Sequence, residues 1–257
     1  MKPTSDQGVR ITVATAQGAR DHQEDRAIHV RIEKAGWLLA VFDGHRGSAT
    51  ADKASKALLS SFESAWQSAP GNNSAALRET VSALVRLTHG DVSGATASIV
   101  FIPENGQVAC WAVLGDSPIA IVDAENGIHI APNHNVRTNS EERAAALLRG
   151  GVYEGGYLED SQRPDIGLQM ARSLGDADLA RVLSREPDIA EVPIGNSGIV
   201  LLGTDGILSS GGGSSREQLS RLIQRVREGA DAEALVQDAL RRQTGDNVTI
   251  IVWVKSL

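Results

Sequence analysis

Four aspartates stand where apolar runs end or begin. Residues 37–42 run into Asp43-Gly44-His45, residues 110–114 into Gly115-Asp116-Ser117, and residues 199–202 into Gly203-Thr204-Asp205-Gly206. Asp246-Asn247 opens the last run, 248–254. Asp is a poor strand residue and is rarely buried without a partner. One Asp-Gly is a turn. Four at the ends of buried runs, far apart in sequence, predict carboxylates gathered at one rim. Carboxylates that close repel each other unless a cation lies among them, and an all-oxygen donor set suits Mg²⁺ or Mn²⁺ rather than zinc. Glu24-Asp25, four and five residues after Arg20, adds two acids between predicted strands. Gly after Asp lets the main chain approach closely, so a carbonyl such as that of Gly44 is a candidate ligand too.

The elements that must position these acids are legible in the patterning. Residues 9–16 alternate as a strand, and 27–32 with 37–42 read as a hairpin. A helix follows over 48–66, with Leu58, Phe62 and Trp66 on one stripe, and a second carries Leu77, Val81, Leu84 and Val85 after a cap near Asn72. Residues 95–102, 107–114, 118–122 and 127–131 form a strand meander with turns at Glu104-Asn105-Gly106 and Glu125-Asn126-Gly127. Strands resume at 189–192 and 199–202. The Gly211-Gly212-Gly213 stretch reads as a flexible connector, because it lacks the spacing and the Lys of a phosphate loop. Ser214 with Glu217 is a capping-box candidate for a helix carrying Leu219, Leu222, Ile223 and Val226; a short helix over 231–242 and a last strand end the chain. Strands in runs and helices in pairs predict an α+β fold with antiparallel sheets, in one domain spanning 1–257. Residues 132–165 differ: they are polar, with glycine pairs at 150–151 and 155–156 around one helical pattern over 139–149, and are expected to be a mobile insertion over the sheet rim.

Composition excludes several classes. The 257 residues are 41% hydrophobic and 22% charged, an ordinary globular balance. A net charge of −7 with no Lys/Arg run argues against nucleic acid as a partner. No run approaches the ~20 apolar residues of a membrane span, and residues 1–10 carry no apolar leader, so a cytoplasmic location is expected. The one cysteine, Cys110, is a small core hydrophobe, and the residue six positions on is Asp116 rather than the Arg of a cysteine-dependent phosphatase. No Gly-x-Ser-x-Gly elbow is present.

The ordered set Arg20-x-x-x-Glu24-Asp25, Asp43-Gly44-His45, Gly94-Ala95-Thr96, Gly115-Asp116-Ser117, Arg172-Ser173-Leu174-Gly175-Asp176, Thr204-Asp205-Gly206 and Asp246-Asn247-Val248-Thr249 resembles the type 2C metal-dependent protein phosphatase family. Each motif alone is unspecific; seven in order, over nearly the whole chain, are specific. The resemblance implies a four-layer α-β-β-α sandwich, two antiparallel sheets each covered by a helix pair, with metals in a cleft at one end. It implies that Asp43 bridges two Mn²⁺ or Mg²⁺ ions, that Asp205 and Asp246 hold the first, and that Glu24 and the Gly44 carbonyl hold the second. Asp25 then orients the attacking water, Arg20 grips the phosphate and His45 acts as general acid on the leaving alkoxide. Two ions ~3.5–4 Å apart activate water and clamp the phosphoryl oxygens.

Asp116 corresponds to a third-metal ligand, but Ser209 stands where a second acid is usual, which weakens that site. Arg46, Pro118 and Asn133 are further departures from the family pattern, Arg46 adding a cation near the cleft. The implied partners are phosphoserine- and phosphothreonine-bearing proteins of a cognate serine/threonine kinase, met by a monomer. Arg outnumbers Lys 20 to 5, which hints at a compact bacterial member. The competing reading is a phosphoprotein-binding pseudophosphatase, which would require missing metal ligands. Asp176 is expected either as a loop-forming hydrogen bonder or beside the metals, and His22, His29, His89, His129 and His134 as surface or structural residues.

Overall fold

The computed structural model of the chain describes residues 4–6, 8–209 and 212–255, so Gly211 of the expected connector and most of the first seven residues lie outside it. One sheet contains β1 (Thr4–Asp6), β2 (Val9–Ala16), β9 (Ile119–Val122), β10 (Ile128–Ile130), β16 (Ile199–Gly203) and β17 (Val248–Lys255), in the order β1-β2-β17-β16-β9-β10. The other contains β3 (Arg26–Ile32), β4 (Gly36–Phe42), β7 (Ala97–Pro103), β8 (Val108–Leu114) and β15 (Asp188–Pro193), in the order β15-β8-β7-β4-β3. Every pairing in both is antiparallel.

Period-two alternation explains why strands with no polar face still have two distinct faces. In β4, Leu38, Ala40 and Phe42 meet the helices α1 (Ala49–Ser68) and α2 (Asn73–Thr88), while Trp37, Leu39 and Val41 face the opposite sheet. In β17, Val248, Ile250 and Val252 pack under α4 (Ser215–Arg227) and α5 (Ala232–Arg241), while Ile251 and Trp253 fill the space between the sheets. Three stacked apolar layers therefore separate four layers of structure, helix pair, sheet, sheet, helix pair, as expected. Phe62 of α1 anchors one of them on Phe101 of β7, with ring centroids 4.7 Å apart.

The helix starts follow their sequence signals. Asn72 accepts from the Ala75 N–H, Asp231 accepts from the Ala234 N–H, and Ser214 and Glu217 form the reciprocal capping box. Among the described residues no helix is long and apolar enough to cross a membrane, and Cys110 is buried with its thiol pushed up to about 12 by desolvation.

The stretch expected as a polar insertion over 132–165 is instead a packed unit that runs on to Leu183. It holds α3 (Ser140–Leu148) and a small sheet of β11 (Gly151–Glu154), β12 (Tyr157–Asp160) and β13 (Arg163–Leu168). Its own core joins Val136, Ala146, Leu158 and Leu168 to Leu179, Val182 and Leu183. Gly155 and Gly156, with φ of 58° and 94°, make the two-residue hairpin turn between β11 and β12. Strands of four to six residues with Leu158 and Leu168 as their buried apolar residues leave little apolar run to read.

A second small sheet carries Gly44 and His45. Three two-residue strands, β5 (Gly44–His45), β6 (Gly94–Ala95) and β14 (Leu174–Gly175), pair side by side at the rim of the sandwich. Three motifs separated by up to 130 positions thus become neighbours.

Candidate active site

Asp43 leaves the end of β4 and is locked by Thr96, whose Oγ1 accepts the Asp43 N–H at 3.0 Å and whose N–H donates to the Asp43 carbonyl at 2.9 Å. The Thr96 hydroxyl in turn meets Ser117 Oγ at 2.7 Å, so the Gly94-Ala95-Thr96 and Gly115-Asp116-Ser117 segments brace Asp43 together. Asp116 is 4% exposed and accepts from Asn135 Nδ2 at 2.8 Å. Its turn is pinned from below: the Gly115 N–H donates to His134 Nδ1 at 3.0 Å, and His134 Nε2 meets Asp188 Oδ2 at 3.0 Å. His134 is therefore structural. Gly115 is obligatory here, with φ of 114° and a would-be Cβ only 2.7 Å from Thr96.

Asp205 opens a single 3₁₀ turn after β16. The preceding Thr204 donates its hydroxyl to Asp25 Oδ2 at 2.9 Å and accepts the Thr249 N–H at 3.0 Å. Asp246 holds Arg20 Nη2 at 2.7 Å, and Arg20 Nε donates to the Gly245 carbonyl at 3.1 Å. Asn247 straps the loop before β3: its Oδ1 accepts the Glu24 N–H at 2.8 Å, and its Nδ2 donates to the carbonyls of Gln17 and His22. Glu24 accepts the Gly47 N–H at 3.0 Å. A Cβ on Gly44 would come within 2.5 Å of the Glu24 carbonyl, so that loop closes on the ribbon only because Gly44 has no side chain.

The acids feel one another. Burial pushes Asp205 up to about 8, helped by the charges of Asp116, Asp246 and Asp25 and opposed by Arg20. Burial also raises Asp43 well above the carboxylate range, followed by repulsion from Asp205, Asp25, Asp116 and Asp246. Asp25 rises to about 6, mainly by desolvation, with hydrogen bonds from Thr249 and Thr204 pulling it back. Asp116 is raised by burial against the opposing Asn135 bond. Neutralising such a group takes either protons or a cation.

The donor set fits a hard divalent ion. It is all oxygen, and buried Asp25 Oδ1 has no hydrogen-bond partner among the described residues. Among those residues the acids line a shared volume and no three of them converge tightly on one point, because Arg20 and the Asn247 N–H hold Asp246, Asn135 holds Asp116 and Thr204 holds Asp25.

A cleft of about 470 Å³ has Glu24, Asp43, Gly44, Asp116, Asp205 and Asp246 on one side and Tyr157 with residues 167–170 on the other. His45 and Arg20 also face it, whereas Asp25 lies behind its wall. A second compartment of about 550 Å³ shares Arg20, Asp116, Asp205 and Asp246 and opens toward Ser209, Gln218 and Arg242. Ser209 thus stands beside the Asp116–Asp205 wall, but its N–H is spent on Gln218 Oε1 at 2.7 Å and it brings no carboxylate. Arg46, expected as a cation near the cleft, is absent from the cleft wall; it pairs with Asp178 at 2.8 Å and lies 3.6 Å from Asp176.

All nine residues singled out for chemistry, Arg20, Glu24, Asp25, Asp43, Gly44, His45, Asp116, Asp205 and Asp246, converge on this one region. The spacing did not mark out their supports. Thr96, Thr204, Thr249 and Asn247 each sit inside a motif, and the signal is a hydroxyl or amide directly beside Asp116, Asp205 and Asp246; Asp43 has none, and its Thr96 lies 53 positions away.

Residues 9–248 match the family described as Protein phosphatase 2C. The chain is 27% identical over 262 residues to a probable protein phosphatase 2C 9 of Arabidopsis thaliana, covering 98% of this chain and 90% of the relative. Two other Arabidopsis relatives are longer, and the chain spans 37% and 50% of them. Among solved structures, a C. elegans sex determining protein superposes with a TM-score of 0.82 at 25% identity, over 98% of this chain and 66% of that one. The catalytic domain of the serine threonine protein phosphatase PstP, in complex with 2 manganese ions, superposes with a TM-score of 0.60 at 20% identity, over 96% and 97%.

Proposed function

Since the chain belongs to the protein phosphatase 2C family of metal-dependent protein phosphatases, we propose that it hydrolyses phosphoserine and phosphothreonine in proteins with two Mn²⁺ or Mg²⁺ ions. Asp43, Asp205 and Asp246 would hold one ion, and Asp43, Glu24 and the Gly44 carbonyl would hold the other. Asp116 serves at most an outer third site, which Ser209 does not support. When bound, the cations supply Lewis acidity toward the phosphoryl oxygens and toward the attacking water. The PstP domain with 2 manganese ions supports this choice of ion.

The remaining steps belong to side chains. Arg20 is anchored through Nη2 and Nε and turns the rest of its guanidinium to the cleft, where a planar fork suits a phosphoryl group. Asp25, with one free oxygen behind the wall, orients the attacking water. His45 gives a proton to the departing alkoxide, a step worth roughly 10²–10⁴ in rate for so poor a leaving group.

The observation that carries this function is the convergence of four mutually repelling aspartates, Asp43, Asp116, Asp205 and Asp246, with Arg20 and His45 on one cleft, backed by the buried Asp25. Nothing favours a pseudophosphatase, because each of the main acids is present. Proteins phosphorylated by a partner serine/threonine kinase in the cytoplasm are the proposed substrates, and a monomer the proposed active form. Purified protein with a phosphoserine peptide is the test. Turnover is expected to require Mn²⁺ or Mg²⁺, and Asp205→Asn to lower it by about 10²-fold or more. Metal-independent turnover, or full activity in Asp205→Asn, refutes the mechanism.

A further inference from the structure

The geometry points to Asp176 as the positioning residue of the general acid, holding the His45 ring through Nε2–H so that Nδ1, protonated in the imidazolium, is the nitrogen that protonates the leaving alkoxide. The inference rests on the proposed acid role of His45 and adds the group that makes it competent.

Asp176 is completely buried, yet it is a carboxylate in a loop. Its Oδ2 receives Ser173 Oγ at 2.6 Å and meets His45 Nε2 at 2.8 Å. A hydroxyl and a carboxylate oxygen there leave the imidazole Nε2 as the donor, so Nε2 carries the hydrogen. His45 Nδ1 is then the unengaged nitrogen, with no hydrogen-bond partner among the described residues. A buried ring nitrogen without a partner on a side chain that faces the cleft is a group reserved for something other than folding.

The surroundings are shaped around this pair. Gly94 lies in the ribbon strand beside His45, and a Cβ there would fall 2.0 Å from Asp176 Oδ2 and 2.2 Å from His45 Nε2. The glycine thus makes the room in which the two side chains meet. Asp176 itself holds a left-handed backbone, φ 50° and ψ 52°, which a short polar residue tolerates and which turns its carboxylate back toward His45. Arg185 braces that loop from behind by donating to the carbonyls of Ser173 and Gly175. Arg46 lies 3.6 Å from the second carboxylate oxygen. A carboxylate–imidazole pair with one ring nitrogen free is the arrangement that fixes a tautomer in other acid–base sites.

Water oxygen bonds to phosphorus as the phosphorus–alkoxide bond breaks. The alkoxide takes the Nδ1 proton of the imidazolium, and the ring becomes neutral while Nε2–H stays on Asp176. A proton released by the attacking water restores Nδ1–H for the next turnover.

The experiment compares a substrate that needs an acid with one that does not. A phosphoserine peptide has a poor leaving group and p-nitrophenyl phosphate a good one. Asp176→Asn keeps the shape and the left-handed preference. With Mn²⁺ present it is expected to lower kcat on the peptide by roughly 10²-fold, within the range of general-acid catalysis, and to leave kcat on p-nitrophenyl phosphate within about twofold. His45→Gln is expected to give the same pattern, and the double variant to lose no more than His45→Gln alone. Mn²⁺ affinity by calorimetry should be unchanged in Asp176→Asn, and imidazole ¹⁵N shifts should report loss of the Nε2–H tautomer. Equal losses on both substrates, additive losses in the double variant, or an unchanged tautomer overturns the positioning role. If His45→Gln itself fails to separate the two substrates, the acid role falls and this inference with it. If only His45→Gln separates them, the acid role stands and the role of Asp176 falls.

Discussion

At the scale of single residues, the acids of the cleft are kept for chemistry at a cost to the fold. Asp205 is the clearest case, pushed up to about 8 by burial and by three neighbouring carboxylates. Replacing it with the isosteric amide removes that repulsion. In chelator at pH 8, Asp205→Asn is expected to be more stable than the parent by about 1–2 kcal/mol while losing phosphatase activity. Chemical denaturation of both proteins in EDTA checks it; a less stable variant would mean that Asp205 is held by favourable contacts instead. The aspartates were legible in the sequence because each interrupts an apolar run. Their bracing was not, because Thr96, Thr204 and Asn247 act through partners 53, 179 and 223 positions away. The pairing of His45 with Asp176 spans 131 positions and is equally invisible. Arg46 shows the opposite failure: a cation next to a catalytic motif suggests a substrate contact, whereas its positive φ of 59° turns it toward Asp178.

At the scale of elements, long apolar strands and capped helices were legible, and the small unit beside the cleft was not. Strands such as β4 and β17 announce themselves because both faces are buried, and α4 because Ser214 and Glu217 mark its start. The β11–β13 sheet hides because its strands are four to six residues long and bury few apolar residues among their polar ones. That unit supplies Tyr157 and residues 167–170 to the cleft wall, so it faces whatever surrounds the phosphate. Leu158 is fully buried in its separate core. Leu158→Ala is therefore expected to cost about 2–5 kcal/mol locally, loosening this unit before the sandwich. Turnover of a phosphoprotein should fall several-fold more than turnover of p-nitrophenyl phosphate. Amide exchange over 151–168 and the two rates, measured together, check the claim. Faster exchange across β4 and β17 as well would show that the unit and the sandwich unfold as one.

At the scale of the whole molecule, metal, protons and folding are linked through the same carboxylates. In the unfolded chain they titrate near the ordinary 3.8, whereas in the fold Asp25 stands at about 6, Asp205 at about 8 and Asp43 well above the usual range. A carboxyl raised by folding binds its proton more tightly in the native state. Its contribution to stability is complete below the unfolded value and is lost as pH rises through the folded one. Metal-free protein should therefore lose stability steadily from about pH 4 to pH 8 on account of this cluster. A divalent cation competes with those protons for the same oxygens, so its affinity rises over the same window. At 100-fold excess over its dissociation constant a bound ion adds about 2.7 kcal/mol, or roughly 5–10 °C in Tm for a chain of this size. The gap in Tm between Mg²⁺ and EDTA should accordingly widen between pH 5.5 and pH 8. It should narrow in Asp205→Asn, which has lost both the repulsion and the proposed ligand. Thermal unfolding at four pH values with and without the ion measures this directly. A gap that stays flat or shrinks with rising pH would mean that the ion binds away from the carboxylates that burial holds protonated.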